Sequence, residues 1–302
     1  VKRWSRYVLL ASLAFLAVAL YKADYLVIPR VYSIPALFAA LACVLAGSIA
    51  DALAWRKILE KSGFPVSVTE SIAGVGLSVF AKYIPGKVWA LMGRAAVVAE
   101  RRSYSLAQVA SASFTWQIVM IWLGVIFGAG GLVLLRAPAV WGWLVLVMWL
   151  ALTAVLFSNA AQFTASGLYK RIFSRDISFP RMASRDLFIS LPWFFVTWGV
   201  YSLGFYLLVS GLFSSRVPLS TGLGFPLSLT VGIIAFFAPG GLGVREGVLV
   251  GYLVLAGLPV QEATAISIAA RLWVFVGEAL IFLVGLSLGY FLKRKPPRRA
   301  GA

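Results

Sequence analysis

Six stretches of this chain are apolar enough to enter a bilayer, and a hydrocarbon environment leaves them little choice of fold. They run from about Tyr7 to Tyr21, Ile34 to Trp55, Leu106 to Leu135, Ala139 to Asn159, Leu187 to Phe213 and Ala263 to Leu292. A helix needs about 20 residues to cross the core of a bilayer. Backbone amides in hydrocarbon have no water to bond, so a crossing segment must satisfy them internally, as a helix does. The expected fold is therefore an all-α polytopic membrane protein. The polar connections are too short to hold a soluble module, and charged residues make up only 12% of the 302 residues, about half the usual soluble share.

The residue inventory narrows the chemistry. There is no histidine and one cysteine, Cys43, inside an apolar run. Histidine is the commonest general base and metal ligand, and a lone cysteine permits no disulfide or cysteine cluster within the chain. A His-based triad, zinc chemistry and His-ligated haem are excluded. No catalytic set, no cofactor and no metal site are expected, and Cys43 reads as a packing residue.

The formal net charge is +17. In a membrane protein such an excess reads first as topology and second as attraction to anionic headgroups, so no nucleic-acid partner is expected. With the N-terminus in the cytoplasm and each of the six spans crossing once, 21 of the 27 Lys and Arg residues fall on the cytoplasmic side. They cluster at Lys2–Arg6, Arg56–Lys61, Lys82–Arg102, Lys170–Arg185 and Lys293–Arg299. That bias places both termini in the cytoplasm of a bacterial-type inner membrane. Trp141, Trp143 and Trp55 sit at span ends, where interfacial belts form.

The count holds only if two further apolar segments enter and leave on one side. The first, Ser67–Glu100, contains Lys82-Tyr-Ile-Pro-Gly-Lys-Val-Trp89; the second, Leu219–Ala256, contains Ala238-Pro-Gly-Gly-Leu-Gly-Val-Arg-Glu-Gly247. Each is a helix too short to span, broken at Pro-Gly and followed by a second helix. Proline removes a donor and disfavours helix in the residue before it, and glycine accepts the positive φ of a chain reversal. Such backbone is tolerated at membrane depth only inside protein or along a polar cavity. Small-residue helix starts follow both breaks, at Ser105–Ser113 and Gln261–Ala269. Three spans separate the hairpins, so the second enters from the opposite side. The pattern is an inverted-topology repeat, which places a substrate path at the repeat interface. One transmembrane domain, 1–292, with halves of about 1–135 and 139–292, precedes a basic tail, 293–302. The glycines Gly128, Gly130 and Gly131 predict a tilt or bend in the third span.

These two broken motifs resemble the transmembrane domain of lysylphosphatidylglycerol synthases, a flippase-like family. The resemblance covers about residues 7–292, and Pro239-Gly-Gly-Leu-Gly-Val-Arg-Glu246 is its more specific part. Full-length members carry a soluble aminoacyl-transferase domain after the membrane part, whereas this chain ends in a basic tail. It therefore resembles the stand-alone branch, which implies lipid or lipid-linked glycan handling and not aminoacyl transfer.

Ionisable residues within the bilayer are costly and mark function by default. The candidate substrate-binding set is Lys82, Pro85, Gly86, Lys87 and Arg94 at the first break, Pro239, Gly240, Gly241, Arg245 and Glu246 at the second, and Arg271 and Glu278 in the last span. Each charged member also has a structural reading. Arg245 either forks onto a lipid phosphate or fixes the hairpin tip with Glu246, which also suits a helix N-terminus. Arg271 and Glu278, seven apart, share a helix face. They either form a polar stripe along a cavity or are neutralised by partners such as Glu246. Lys82, Lys87 and Arg94 either line an inner entrance or only set topology. Asp51 is interfacial, pairing with Arg56 or Lys57, or couples protons. The leading functional reading is a translocase for an anionic phospholipid or a polyprenyl-phosphate-linked headgroup. The alternative is a non-transporting subunit beside a glycosyltransferase or lipid-modifying enzyme. A lipid-modifying enzyme and an ion-coupled transporter of a soluble substrate are further readings.

Overall fold

A computed structural model describes residues 30–83, 89–158, 184–235, 241 and 243–294. The first expected span, most of the basic stretch 170–185, residues 295–302 and five site candidates (Pro85, Gly86, Lys87, Pro239 and Gly240) lie outside the described residues. Among the described residues all regular structure is helical. The elements are α1 (Ile34–Lys61), α2 (Val68–Ser78) continued by a 3-10 turn (Val79–Tyr83), α3 (Trp89–Arg102), α4 (Leu106–Leu134), α5 (Ala139–Phe157) and α6 (Ser184–Leu212). A second 3-10 turn (Leu219–Leu223) then leads into α7 (Gly224–Ile234), followed by α8 (Val244–Leu255) and α9 (Val260–Arg294). Five of these, α1, α4, α5, α6 and α9, are long and apolar enough to cross a membrane, which makes the chain an all-α multi-pass membrane protein. The 11 residues each of α2 and α7 give about 16 Å of helix, half a bilayer core.

The central pair is α1 and α6, antiparallel along their whole length. At one end Lys61 pairs with Asp186 at 3.1 Å; at the other the Tyr32 amide donates to the Gly211 carbonyl at 2.8 Å. The short arms pack around this pair in a reciprocal pattern. Helix α2 lies against α9 and α3, and α7 lies against α4 and α8. Likewise α3 meets α4 as α8 meets α9, and α1 meets α9 as α6 meets α4. Exchanging α1 with α6, α2 with α7, α3 with α8 and α4 with α9 leaves these contacts unchanged.

The ends of the arms identify the face on which each pair opens. Glu70, near the start of α2, meets Arg101 and Arg102 at the end of α3. Arg101 also donates to the Leu292 carbonyl at 2.6 Å, where the last turn of α9 has acceptors to spare. The α2–α3 arms therefore open on the face that holds the C-terminal end of α9. In the second pair the Tyr252 hydroxyl, late in α8, donates to the Ser220 carbonyl at 2.7 Å. A methyl added at Gly131, near the end of α4, would lie 2.1 Å from that hydroxyl. These arms open beside the C-terminal end of α4.

Close approach decides the tightest crossings. A methyl group on Gly76 of α2 would lie 2.4 Å from the Ile281 carbonyl, and one on Gly285 of α9 would lie 2.9 Å from Gly76. Small residues let helices in lipid approach to backbone contact. The glycine-rich third span is one continuous helix, α4, in which Gly128 and Gly131 press against Leu227 and Tyr252. One expectation is corrected, that of Trp55. Trp55 is no belt residue, being fully buried with its indole N–H on Ser113 Oγ at 2.9 Å. Trp141 and Trp143 are exposed, as a belt requires.

Gly76→Ala should lower thermal stability in detergent by about 1–3 kcal/mol, the usual cost of overpacking. Gly130→Ala, with no neighbour within 4 Å of the added methyl, should leave it unchanged or raise it by up to about 1 kcal/mol. Unfolding followed by intrinsic fluorescence distinguishes the two.

Candidate functional site

A cavity of about 260 Å³ lies where both pairs of arms meet α1, α4, α6 and α9. Pockets for drug-sized ligands run from about 300 Å³ upward, so this one has room for a headgroup and not for a whole lipid. Six charged side chains line it: Asp51 from α1, Lys82 from the turn after α2, Arg94 from α3, Arg245 from α8, and Arg271 and Glu278 from α9. All six were candidates in the sequence, where they lie up to 227 positions apart. Its aromatic walls include Trp116, Trp198, Tyr201 and Phe225.

Helix α9 secures both pairs of arms. Glu278 is buried and pairs with Lys82. Two turns earlier Arg271 pairs with Glu246. Glu246 has two tasks, since its other oxygen accepts from the Gly243 amide at 2.7 Å and caps α8. Gly243 and Gly241 have φ of 80° and 71°, a region that other residues enter reluctantly. At Gly241 an added methyl would also approach the Gly232 carbonyl to 3.0 Å. Gly241 thus brings the chain ahead of α8 into backbone contact with α7.

Among the described residues Arg94 is the least exposed cation. It is 8% exposed, and its guanidinium carbon lies 4.1 Å from the Trp116 ring centre and 5.6 Å from that of Trp55. Stacking of this kind suits the planar, weakly hydrated guanidinium. Its Nε and one Nη have no hydrogen-bond partner among the described residues. Arg245 is similarly buried, 5.2 Å from the Phe225 ring centre. Asp51 lines the same cavity, and its buried Oδ1 also has no partner among the described residues. The interfacial reading of Asp51 is corrected: Arg56 donates to the Val66 carbonyl and Lys57 to Glu60, while Asp51 lies inside.

The sequence reading missed Tyr201, Ser48 and Gln117. Tyr201 and Ser48 share a hydrogen bond of 3.2 Å between α6 and α1, and Gln117 lines the cavity beside Trp116. Gln117 was findable as an uncharged polar residue in mid-span. Tyr201 and Ser48 gave no such signal, because single hydroxyls are common in membrane helices.

At the mouth of the first pair of arms Glu70 is 4% exposed and takes a two-pronged bond from Arg102, at 2.7 and 2.9 Å, and one from Arg101 at 3.0 Å. Burial pushes its carboxyl up, but the bonds from Arg102 and from Ser67 outweigh this and hold it below its ordinary 4.5.

The sequence profile described as Lysylphosphatidylglycerol synthase TM region matches residues 6–292. No curated protein matches the chain.

The depressed Glu70 carboxyl contributes stability that is complete above pH 4.5 and is lost as pH falls through its lower folded value. Glu70→Gln should cost about 1.5–3 kcal/mol at neutral pH, as for hydrogen bonds to charged groups. That deficit should shrink on acidification in a pH series of thermal unfolding. For the α9 contact, Arg271→Gln and Glu246→Gln should be non-additive in the double variant by about 0.5–3 kcal/mol.

Proposed function

The chain belongs to the lysylphosphatidylglycerol synthase TM region family, and from that premise we propose that it moves an anionic lipid headgroup between leaflets. The family gives a lipid-related membrane role. The translocation reading rests on one observation: the buried Arg94 with guanidinium donors that no described residue takes up, inside a cavity bounded by both pairs of arms. A phosphate, from a phospholipid or a polyprenyl phosphate, is the acceptor that suits a planar fork of N–H groups.

In this reading each broken pair is a re-entrant hairpin, one entering from the cytoplasm and one from outside. In it their short helices end near the midplane, beside a polar path. The headgroup passes Arg94 and Arg245 while its acyl chains remain in lipid. The ion pairs on α9 hold the hairpins in place, and their exchange for contacts with the headgroup provides a route for opening either side.

Protein reconstituted in vesicles should accelerate transbilayer movement of a fluorescent anionic phospholipid or of a polyprenyl-phosphate analogue. Arg94→Ala should slow it by about tenfold or more, in line with loss of a charge-assisted bond, with folding verified by size-exclusion profile. Movement unaffected by Arg94→Ala would remove the proposed path. No movement of either lipid by folded protein would favour the accessory-subunit reading.

A further inference from the structure

A second, separate groove of about 430 Å³ lies between α4 and α5, on the outer flank of the molecule. Its walls include Ala129, Leu132, Pro138, Gly142, Val145 and Trp149, and no charged or hydroxyl-bearing side chain lines it. Its direction is fixed by the helices. It begins at the α4–α5 turn, at Ala137 and Pro138, and continues to Trp149, about 16 Å further along α5. Helix α5 packs only through this side; Val145 is its one buried residue, and Trp141, Trp143, Leu144 and Val147 are exposed.

The mouth of the groove has different chemistry. Exposed Trp141 and Trp143 mark headgroup level at this end of α5. Directly before Ala137 in the chain stands Arg136, exposed, with φ of 52°, and no acidic side chain pairs with it among the described residues. An exposed cation thus adjoins, along the chain, the turn at which the apolar groove begins. The two ends match the two ends of one molecule, a phosphate and an acyl chain. A cationic side chain near a membrane surface attracts anionic lipid, and a groove with no charged or hydroxyl-bearing lining suits an acyl chain.

We propose that the α4–α5 groove is a binding site for a resident anionic phospholipid, with the phosphate at Arg136 and one acyl chain along Gly142 and Trp149. The site is distinct from the central cavity and independent of whether that cavity translocates anything.

Two variants test it. Gly142→Trp fills the groove from a position where an added side-chain atom meets nothing within 4 Å. Arg136→Asn removes the charge with a residue that accepts the positive φ. The purified full chain is delipidated in detergent, titrated with phosphatidylglycerol or phosphatidylcholine, and examined by native mass spectrometry, with thermal unfolding as the control for folding. The first phosphatidylglycerol should bind the parent chain more tightly than phosphatidylcholine. Arg136→Asn should reduce that preference about fivefold, and Gly142→Trp should abolish the first binding event. Equal binding by the parent chain and folded Gly142→Trp overturns the proposal. So does a dimer of the parent chain that Gly142→Trp converts to monomer without change in lipid binding, since the groove then receives a second copy.

Discussion

The structure depends on how a broken backbone is kept out of hydrocarbon. A helix that stops halfway leaves carbonyls and amides without partners, at a cost of several kcal/mol each in lipid. Helices α2 and α7 stop after 11 residues, and the fold encloses both. Helix α9 lies against α2 at backbone contact, and α4 lies against α7 through its glycines. The antiparallel pair α1 and α6 provides the remaining wall. Because each short arm needs the same kind of shelter, the contacts repeat under exchange of the two halves.

The charges follow from the same arrangement. Ion pairs are expensive to bury unless geometry and hydrogen bonding are favourable. The Arg271–Glu246 and Lys82–Glu278 contacts meet that condition by joining both pairs of arms to α9. Arg94 and Asp51 do not pair with each other; Arg94 is instead held by aromatic stacking. A confined guanidinium is retained at the place where the arms converge, and that is the feature a stability argument alone does not explain.

Much of this was legible in the sequence, for identifiable reasons. Spans are set by local hydropathy, so α1 and α4–α6 begin or end close to where the apolar runs do. The seven-residue spacing of Arg271 and Glu278 is local too, and both line one cavity. What local pattern does not carry is which surfaces meet. Trp55 read as a belt residue because it lies at the end of an apolar run, yet α4 covers it. Asp51 seemed matched to Arg56 and Lys57 by proximity along the chain, but a helix turns those residues to another side. The glycines of α4 suggest a tilt or bend by composition, whereas the partner of Gly128 on α7, Leu227, is about 100 residues away. Tyr201 entered the cavity only through the antiparallel register of α1 and α6.

The central claim is that a lipid headgroup is held at Arg94 between the two halves. The most direct measurement is an electron cryo-microscopy structure of the full chain in nanodiscs containing phosphatidylglycerol. Headgroup density in the central cavity, with phosphate oxygens within hydrogen-bond distance of Arg94 Nε, is the predicted result. A direct Arg94–Asp51 ion pair across a closed cavity, with lipid only on the outer surface, would contradict it.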